Sequence, residues 1–282
     1  EPEFKKLVKK IQITKNGFFD TPFDSIRKYL NNLGGIKGFV YNNYTEEGTA
    51  DQEFVRKYFT AENGKKIDAI RIKIEKWKKE KIISENEYFI LLASLIESVP
   101  FYANISGVYA AFLKHYDPRA LKQLEIKPMA FYKSDKSHYV YNKNSMDLIH
   151  GLNVDILYLD PPYNERQYAP NYHLLETISL YDDPKIKGMT GMRDYKNQKS
   201  EFCNKDTALR ALEKIAKTAK YKHLILSYNS EGIMSEENIL SVLKKHGKVI
   251  LKNIDYLRFK SNSNGDSKHK KTIQEQLYIL TV

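Results

Sequence analysis

The apolar run Val154-Asp155-Ile156-Leu157-Tyr158-Leu159 stops in Asp160-Pro161-Pro162-Tyr163. Its composition predicts a short strand, and the two prolines set where that strand must end. Neither has an N–H to give to a neighbouring strand, and both fix φ, so the ladder cannot continue through them. A buried strand with a stiff loop at its carboxyl end is the arrangement in which open α/β sheets bind ligands. The loop presents a carboxylate, backbone carbonyls without competing donors, and one aromatic ring. Such a rim is rich in acceptors and suits a planar amino group. The plain alternative is a proline-stiffened turn, since Asp, Pro and aromatic residues are common turn components.

Adenine illustrates what the rim can do. Its exocyclic nitrogen is a poor nucleophile because the lone pair is delocalised into the ring. Hydrogen bonds from the two amino hydrogens to the Asp160 carboxylate and the Pro161 carbonyl bias that nitrogen toward a pyramidal geometry, with the lone pair free. Tyr163 can stack on the base. With an activated methyl donor in line, positioning and stabilisation of the developing ammonium supply the rate, and no metal is required.

The same loop and its surroundings resemble the adenine-N6 DNA methyltransferases of restriction–modification systems, which use S-adenosylmethionine. The resemblance covers Asp155 to Asp183, including Tyr163-Asn164-Glu165-Arg166-Gln167-Tyr168 and Asn171-Tyr172-His173-Leu174-Leu175-Glu176-Thr177. It continues through Gly188 to Lys199, Leu226-Ser227-Tyr228-Asn229 and Asn31 to Tyr44. It implies that Asp160, Pro161, Pro162 and Tyr163 form the catalytic loop, with Asp in first place pointing to adenine. It also implies a Rossmann-like S-adenosylmethionine-dependent methyltransferase sheet of the α/β class, partial in this chain, with a mostly helical insertion.

The departures are specific. The family carries a Phe-x-Gly-x-Gly loop that holds the donor's amino-acid part, and none occurs here. Gly34-Gly35-Ile36-Lys37-Gly38 lacks the aromatic lead and a preceding apolar strand, so it reads as an ordinary loop. No acid follows a second strand to bind the ribose hydroxyls. In the loop that binds the donor's adenine, Asn144, followed by Ser145, stands where the family has an acid. An amide both donates to and accepts from an adenine edge, so Asn144, Ser145 and Asp160 are the candidate donor contacts, with Asn144 as a helix cap the alternative. The chain opens on Glu1-Pro2-Glu3-Phe4, which resembles sequence just downstream of the missing elements. The expectation is a fragment or a split enzyme whose donor site is completed by a preceding segment or a partner chain.

Charge points the same way. Among 282 residues, 46 Lys and Arg against 35 Asp and Glu leave +11, which favours a polyanion such as double-stranded DNA over an acidic lipid surface. A single cysteine, Cys203, excludes an internal disulfide and a multi-cysteine zinc site. No apolar stretch approaches the ~20 residues of a membrane span, and no signal peptide is recognisable, so a cytoplasmic, DNA-associated protein is expected.

Two textures divide the chain near residue 139. Residues 1–139 read as mostly helical and basic, a candidate target-recognition insertion, with a helical hairpin bearing a solvated Lys face as the plain alternative. Ile67, Ile70, Ile74 and Trp77 recur at helical spacing through Lys65 to Lys81, and Ser84 with Glu87 forms a capping box ahead of Tyr88, Leu91, Leu92, Leu95 and Ile96. Residues 140–282 alternate between strand and helix as the catalytic α/β region. Leu224 to Ser227 is a second short strand, Ala208 to Ala219 and Glu236 to Lys245 are helices, the second capped by Ser235, and Val249 to Phe259 can pair with Ile273 to Val282 as a hairpin. Arg166, Gln167 and Tyr168, just past the loop, have the chemistry for base edges, phosphates and stacking, as do Lys268 and Lys270 in the Ser- and Lys-rich stretch between the last strands. His173 reads as a buried structural histidine.

The expected activity is transfer of a methyl group to N6 of a flipped adenine in duplex DNA, with a cognate restriction endonuclease as system partner. Two other classes use the same residues: a non-catalytic DNA-binding module that retains the loop, and a methyltransferase acting on amino groups of RNA or protein.

Overall fold

The computed structural model describes residues 3–10, 21–132, 134–257 and 272–282. The chain divides into two compact units, Glu1–Ser137 with Pro170–Asp194, and His138–Ala169 with Tyr195–Val282. Pro170–Asp194 groups with the helical residues of the first unit.

The first unit contains helices α1 (Lys5–Lys10), α2 (Pro22–Asn31), α3 (Phe39–Tyr44), α4 (Ala61–Lys79) and α5 (Glu85–Ser98). Helix α4 starts four residues earlier than its apolar spacing suggested, because the Thr60 hydroxyl accepts from the Asn63 N–H and caps it. Ile67, Ile70 and Ile74 are fully buried on one face and Trp77 nearly so. Helix α5 opens on the expected capping box: Ser84 Oγ accepts from the Glu87 N–H, and the Glu87 carboxylate accepts from the Ser84 N–H at 2.7 Å. Its Tyr88, Leu91, Leu92 and Leu95 join the same apolar core.

One buried carboxylate organises this unit. Asp68, on α4, accepts from the N–H groups of Gly38, Val40 and Tyr41 at 3.0, 2.9 and 2.8 Å, which are orphan donors at the start of α3. It also accepts from the Tyr181 hydroxyl at 2.7 Å. Burial pushes the Asp68 carboxyl up, against these four donors that favour its charged form. Gly38 is therefore not an ordinary loop residue, since a Cβ there would lie 2.7 Å from Asp68 Cγ. Arg71, one turn along α4 and also buried, donates to the Ile178 and Ser179 carbonyls at the end of helix α7 (Tyr168–Leu180) and to Glu75. The chain leaves α7 through Tyr181 with φ 51°, a strained value for an aromatic residue that its bond to Asp68 helps hold.

The second unit is a four-stranded sheet in the order β1-β2-β4-β3, built from β1 (Asn153–Leu159), β2 (Lys220–Asn229), β3 (Lys248–Leu257) and β4 (Thr272–Thr281). Strands β1 and β2 are parallel, β4 is antiparallel to β2, and β3 pairs with β4 as the expected terminal hairpin. Helix α6 (Ser145–Leu148) precedes β1, and α8 (Ala208–Thr218) and α9 (Glu236–Leu243) flank β2 in sequence. Ala208, Ala211, Leu212 and Ile215 of α8 pack in one core with Leu224, Leu226, Tyr278 and Leu280. Ser235 caps α9 as expected. This is an α/β sheet of the partial Rossmann-like kind.

One expectation is corrected: β1 is not buried. Within the described residues it is an edge strand paired only with β2, and Ile156 and Tyr158 are 59% and 58% exposed. The apolar run reads as a covered strand, but one neighbour leaves much of it open. Lys268 and Lys270 lie outside the described residues.

His173 is buried in the first unit, with Nε2 3.0 Å from the Tyr109 carbonyl. Burial pushes its pKa down from 6.5 to about 4. A histidine held neutral in this way contributes stability that is fully present above pH 6.5 and is lost as pH falls toward 4. Urea unfolding should therefore show stability falling by on the order of 3 kcal/mol across that window, with His173→Leu flattening the loss; an unchanged pH profile in that variant would contradict the assignment.

Candidate active site

The register of β1 and β2 places the loop. Leu159 pairs with Leu226, so the two strands end side by side, Asp160-Pro161-Pro162-Tyr163 leaving one and Tyr228-Asn229 closing the other. The peptide after Asn229 then turns back over the loop. The Ile233 N–H donates to the Tyr163 carbonyl at 2.9 Å, and the buried Tyr228 hydroxyl reaches the same carbonyl at 3.4 Å while accepting from the Met234 N–H. The end of the proline loop is thus held from the neighbouring strand.

What remains open is the part with chemistry. Asp160 is exposed, Pro161 and Pro162 are half-buried, and Tyr163 is 41% exposed. Among the described residues the Asp160 carboxylate makes no hydrogen bond or ion pair, so its oxygens are available as acceptors. An internal ion pair would have removed it from any reaction; none holds it here.

The residues after the loop separate into two kinds. Asn164 accepts from the Arg166 N–H at 2.9 Å in a local turn, leaving the Arg166 side chain exposed. Tyr168, at the start of α7, is exposed, as is Tyr172 four residues on, so both rings share one helix face. Gln167 is engaged differently. Its amide oxygen accepts from the Ser200 N–H at 2.7 Å and its nitrogen donates to the Ser200 carbonyl, a two-way clamp on the backbone. Cys203 adds a contact from its thiol to the Arg166 carbonyl, and burial pushes that thiol's pKa up, away from reactivity.

Asn144 Oδ1 accepts from the Met146 N–H at 3.0 Å and caps α6, while Asn144 and Ser145 are both exposed. The residues sequence reasoning missed are Tyr228 and the Ile233 backbone. The signal was present in Tyr228-Asn229 at the end of the second strand, but its role needs the parallel register. A cavity of roughly 640 Å³ lies at the opposite end of β1 among Asn153, Asp155, Lys220, Lys222 and His246, away from the loop.

A model of the D12 class N6 adenine-specific DNA methyltransferases matches residues 5–242. The chain belongs to this family. It is similar to the Type II methyltransferase M.NlaIII of Neisseria lactamica, 41% identical over 252 residues that cover 89% of this chain and 74% of that protein. Over 192 residues it is 48% identical to the Type II methyltransferase M.FokI of Planomicrobium okeanokoites, covering 68% of this chain and 30% of that protein. It is 37% identical to the modification methylase StsI of Streptococcus sanguinis over 285 residues, 99% of this chain and 41% of that protein. The chain thus spans less than half the length of two of these three relatives. No solved structure matches it. Members of the family are methyltransferases that draw the methyl group from S-adenosylmethionine. Among the described residues, no helix is long and apolar enough to cross a membrane.

An unpaired, exposed carboxylate at the end of a strand suits an ammonium or amine partner, so Asp160 fits the donor. Asn144 has its amide oxygen engaged by its own helix, which leaves the amide nitrogen and the Ser145 hydroxyl as the exposed groups there.

Tyr228→Phe isolates the brace. Losing one hydroxyl that serves the Tyr163 carbonyl and the Met234 N–H should cost only about 1–2 kcal/mol in a urea melt, yet lower kcat for methyl transfer by on the order of tenfold or more through a misplaced loop; an unchanged kcat would show that the brace is not needed.

Proposed function

We propose that this chain methylates N6 of an adenine extruded from duplex DNA, and that Asp160, Pro161, Pro162 and Tyr163 are the groups that do it. The observation that carries this reading is the unpaired Asp160 carboxylate on a proline-stiffened loop whose far end is fixed by Ile233 and Tyr228. S-adenosylmethionine supplies a methyl group on a sulfonium, whose carbon–sulfur electron pair leaves with the sulfur.

The protein prepares the other reactant. Asp160 and the Pro161 carbonyl each accept one amino hydrogen of the base, withdrawing the N6 lone pair from ring conjugation. As the nitrogen–carbon bond forms, N6 gains positive charge, and both acceptors lie where that charge develops, so they stabilise the transition state more than the ground state. One N6 proton then leaves, through Asp160 or directly to water, restoring a neutral secondary amine. Tyr163, anchored at its carbonyl with its ring exposed, stacks on the extruded base and excludes water from one face.

Duplex DNA fits the +11 balance and the exposed Arg166 and Tyr168 just past the loop. Arg166 is assigned to a phosphate or a base edge and Tyr168 to stacking, while Gln167 serves to hold Ser200. Lys268 and Lys270 are further candidates for phosphate contact. Asn144 and Ser145 are assigned to the donor. The helical first unit is assigned to target recognition. By analogy with its relatives, the setting is a cytoplasmic restriction–modification system with a cognate endonuclease as partner.

Asp160→Ala tests the assignment directly. Transfer of labelled methyl from S-adenosylmethionine to duplex DNA should fall by at least about 100-fold, with the melting transition retained; activity within a fewfold of the unaltered chain would remove the role. A parallel panel of DNA, RNA and protein acceptors should show label in DNA as N6-methyladenine, and label confined to RNA or protein would overturn the substrate.

A further inference from the structure

The segment Gly188 to Lys199 is not used by the chemistry above, yet its first residues are held by backbone and buried side-chain hydrogen bonds. The turn is closed by reciprocal backbone bonds between Lys187 and Met192, both 2.9 Å, and by Gly191 N–H to the Gly188 carbonyl at 3.1 Å. Gly188 and Gly191 have φ of +69° and +64°, the left-handed region that favours glycine. Gly191 also has no room for a side chain, since a Cβ would lie 2.9 Å from both Arg56 Nε and the Tyr44 ring.

The turn is gripped from below by two buried side chains. Arg56, 5% exposed, donates from Nη2 to the Gly188 carbonyl at 3.0 Å and from Nε to the Met189 carbonyl at 3.1 Å. The fully buried Tyr44 donates its hydroxyl to the Gly191 carbonyl at 2.7 Å. Arg56 is itself fixed by Gln52 Oε1 and the Asn43 carbonyl. These acceptors are neutral, so the guanidinium charge is not cancelled by the groups that hold it. Three carbonyls of the turn point inward, and what faces out is Met189, 62% exposed, with the exposed cations Lys185 and Lys187 beside it.

The grip fixes the turn's geometry, and the side chain it holds out at the tip is apolar. An apolar side chain on a rigid tip, with uncancelled positive charge under it and lysines alongside, has the features of a wedge that enters a base stack while cations hold the phosphates. We infer that the Lys187–Met192 turn is a preformed DNA-contacting element whose Met189 side chain inserts between bases of the bound duplex. The inference rests on the functional reading above and concerns residues that take no part in methyl transfer.

The recognition site is first mapped from N6-methyladenine positions in the chromosome of a host expressing the full protein with any partner chain. Duplexes carrying that site, with 2-aminopurine at successive positions, are then titrated with the unaltered chain, Met189→Ala and Met189→Leu, in the absence of methyl donor. Loss of a buried methionine contact should weaken binding of Met189→Ala on the order of tenfold to a hundredfold and abolish the fluorescence rise at the wedged step. Met189→Leu should stay within about threefold of the unaltered chain, since leucine fills a similar volume. All three should show the same melting transition, because the side chain is exposed. Binding and fluorescence of Met189→Ala within about twofold of the unaltered chain would overturn the wedge while leaving the methyltransferase reading intact. A host chromosome without added N6-methyladenine would overturn that reading and the wedge with it.

Discussion

The site depends on a parallel strand pair. Because β1 and β2 run in the same direction and end together, a loop leaving one can be fixed by residues closing the other. The Tyr163 carbonyl is the point of attachment, reached by the Ile233 N–H and the Tyr228 hydroxyl. Two prolines stiffen the loop from within and this carbonyl anchors it from without, so the Asp160 carboxylate is held by its backbone rather than by side-chain partners. That matters chemically. A carboxylate positioned through partners would have its acceptor capacity already engaged, whereas one positioned by a rigid backbone keeps it for a substrate.

The same logic recurs in the helical unit, where buried polar groups fix backbone ends. Asp68 gathers the free N–H groups at the start of α3, Arg71 takes carbonyls at the end of α7, and Arg56 takes those of the Lys187–Met192 turn. Each is a buried charge that meets several backbone partners, which is the condition under which burial is tolerated. Removing any one would strand donors or acceptors away from water, a larger penalty than the net value of the bonds themselves.

Local rules made much of this legible in the sequence. The α5 capping box, the apolar face of α4, the Ser235 cap and the terminal hairpin follow from short-range chemistry, and all are present. The proline loop was legible because a strand cannot pass through two prolines. What could not be read depends on long-range pairing. Gly38 looked like loop punctuation because Asp68, thirty residues away in sequence, supplies its meaning. No local pattern sets Arg56 apart from the other 45 Lys and Arg residues, and Gln167 reads as a base reader until its partner at Ser200 is known. The apolar run of β1 suggested burial, but exposure is set by how many neighbours a strand has, which composition does not specify.

The most direct test is a crystal structure of the full protein bound to duplex DNA carrying its site, with S-adenosylhomocysteine present. The account predicts an extruded adenine stacked on Tyr163, its N6 within about 3.2 Å of both an Asp160 carboxylate oxygen and the Pro161 carbonyl. An adenine still stacked in the duplex, or an extruded base whose N6 faces away from Asp160, would contradict it.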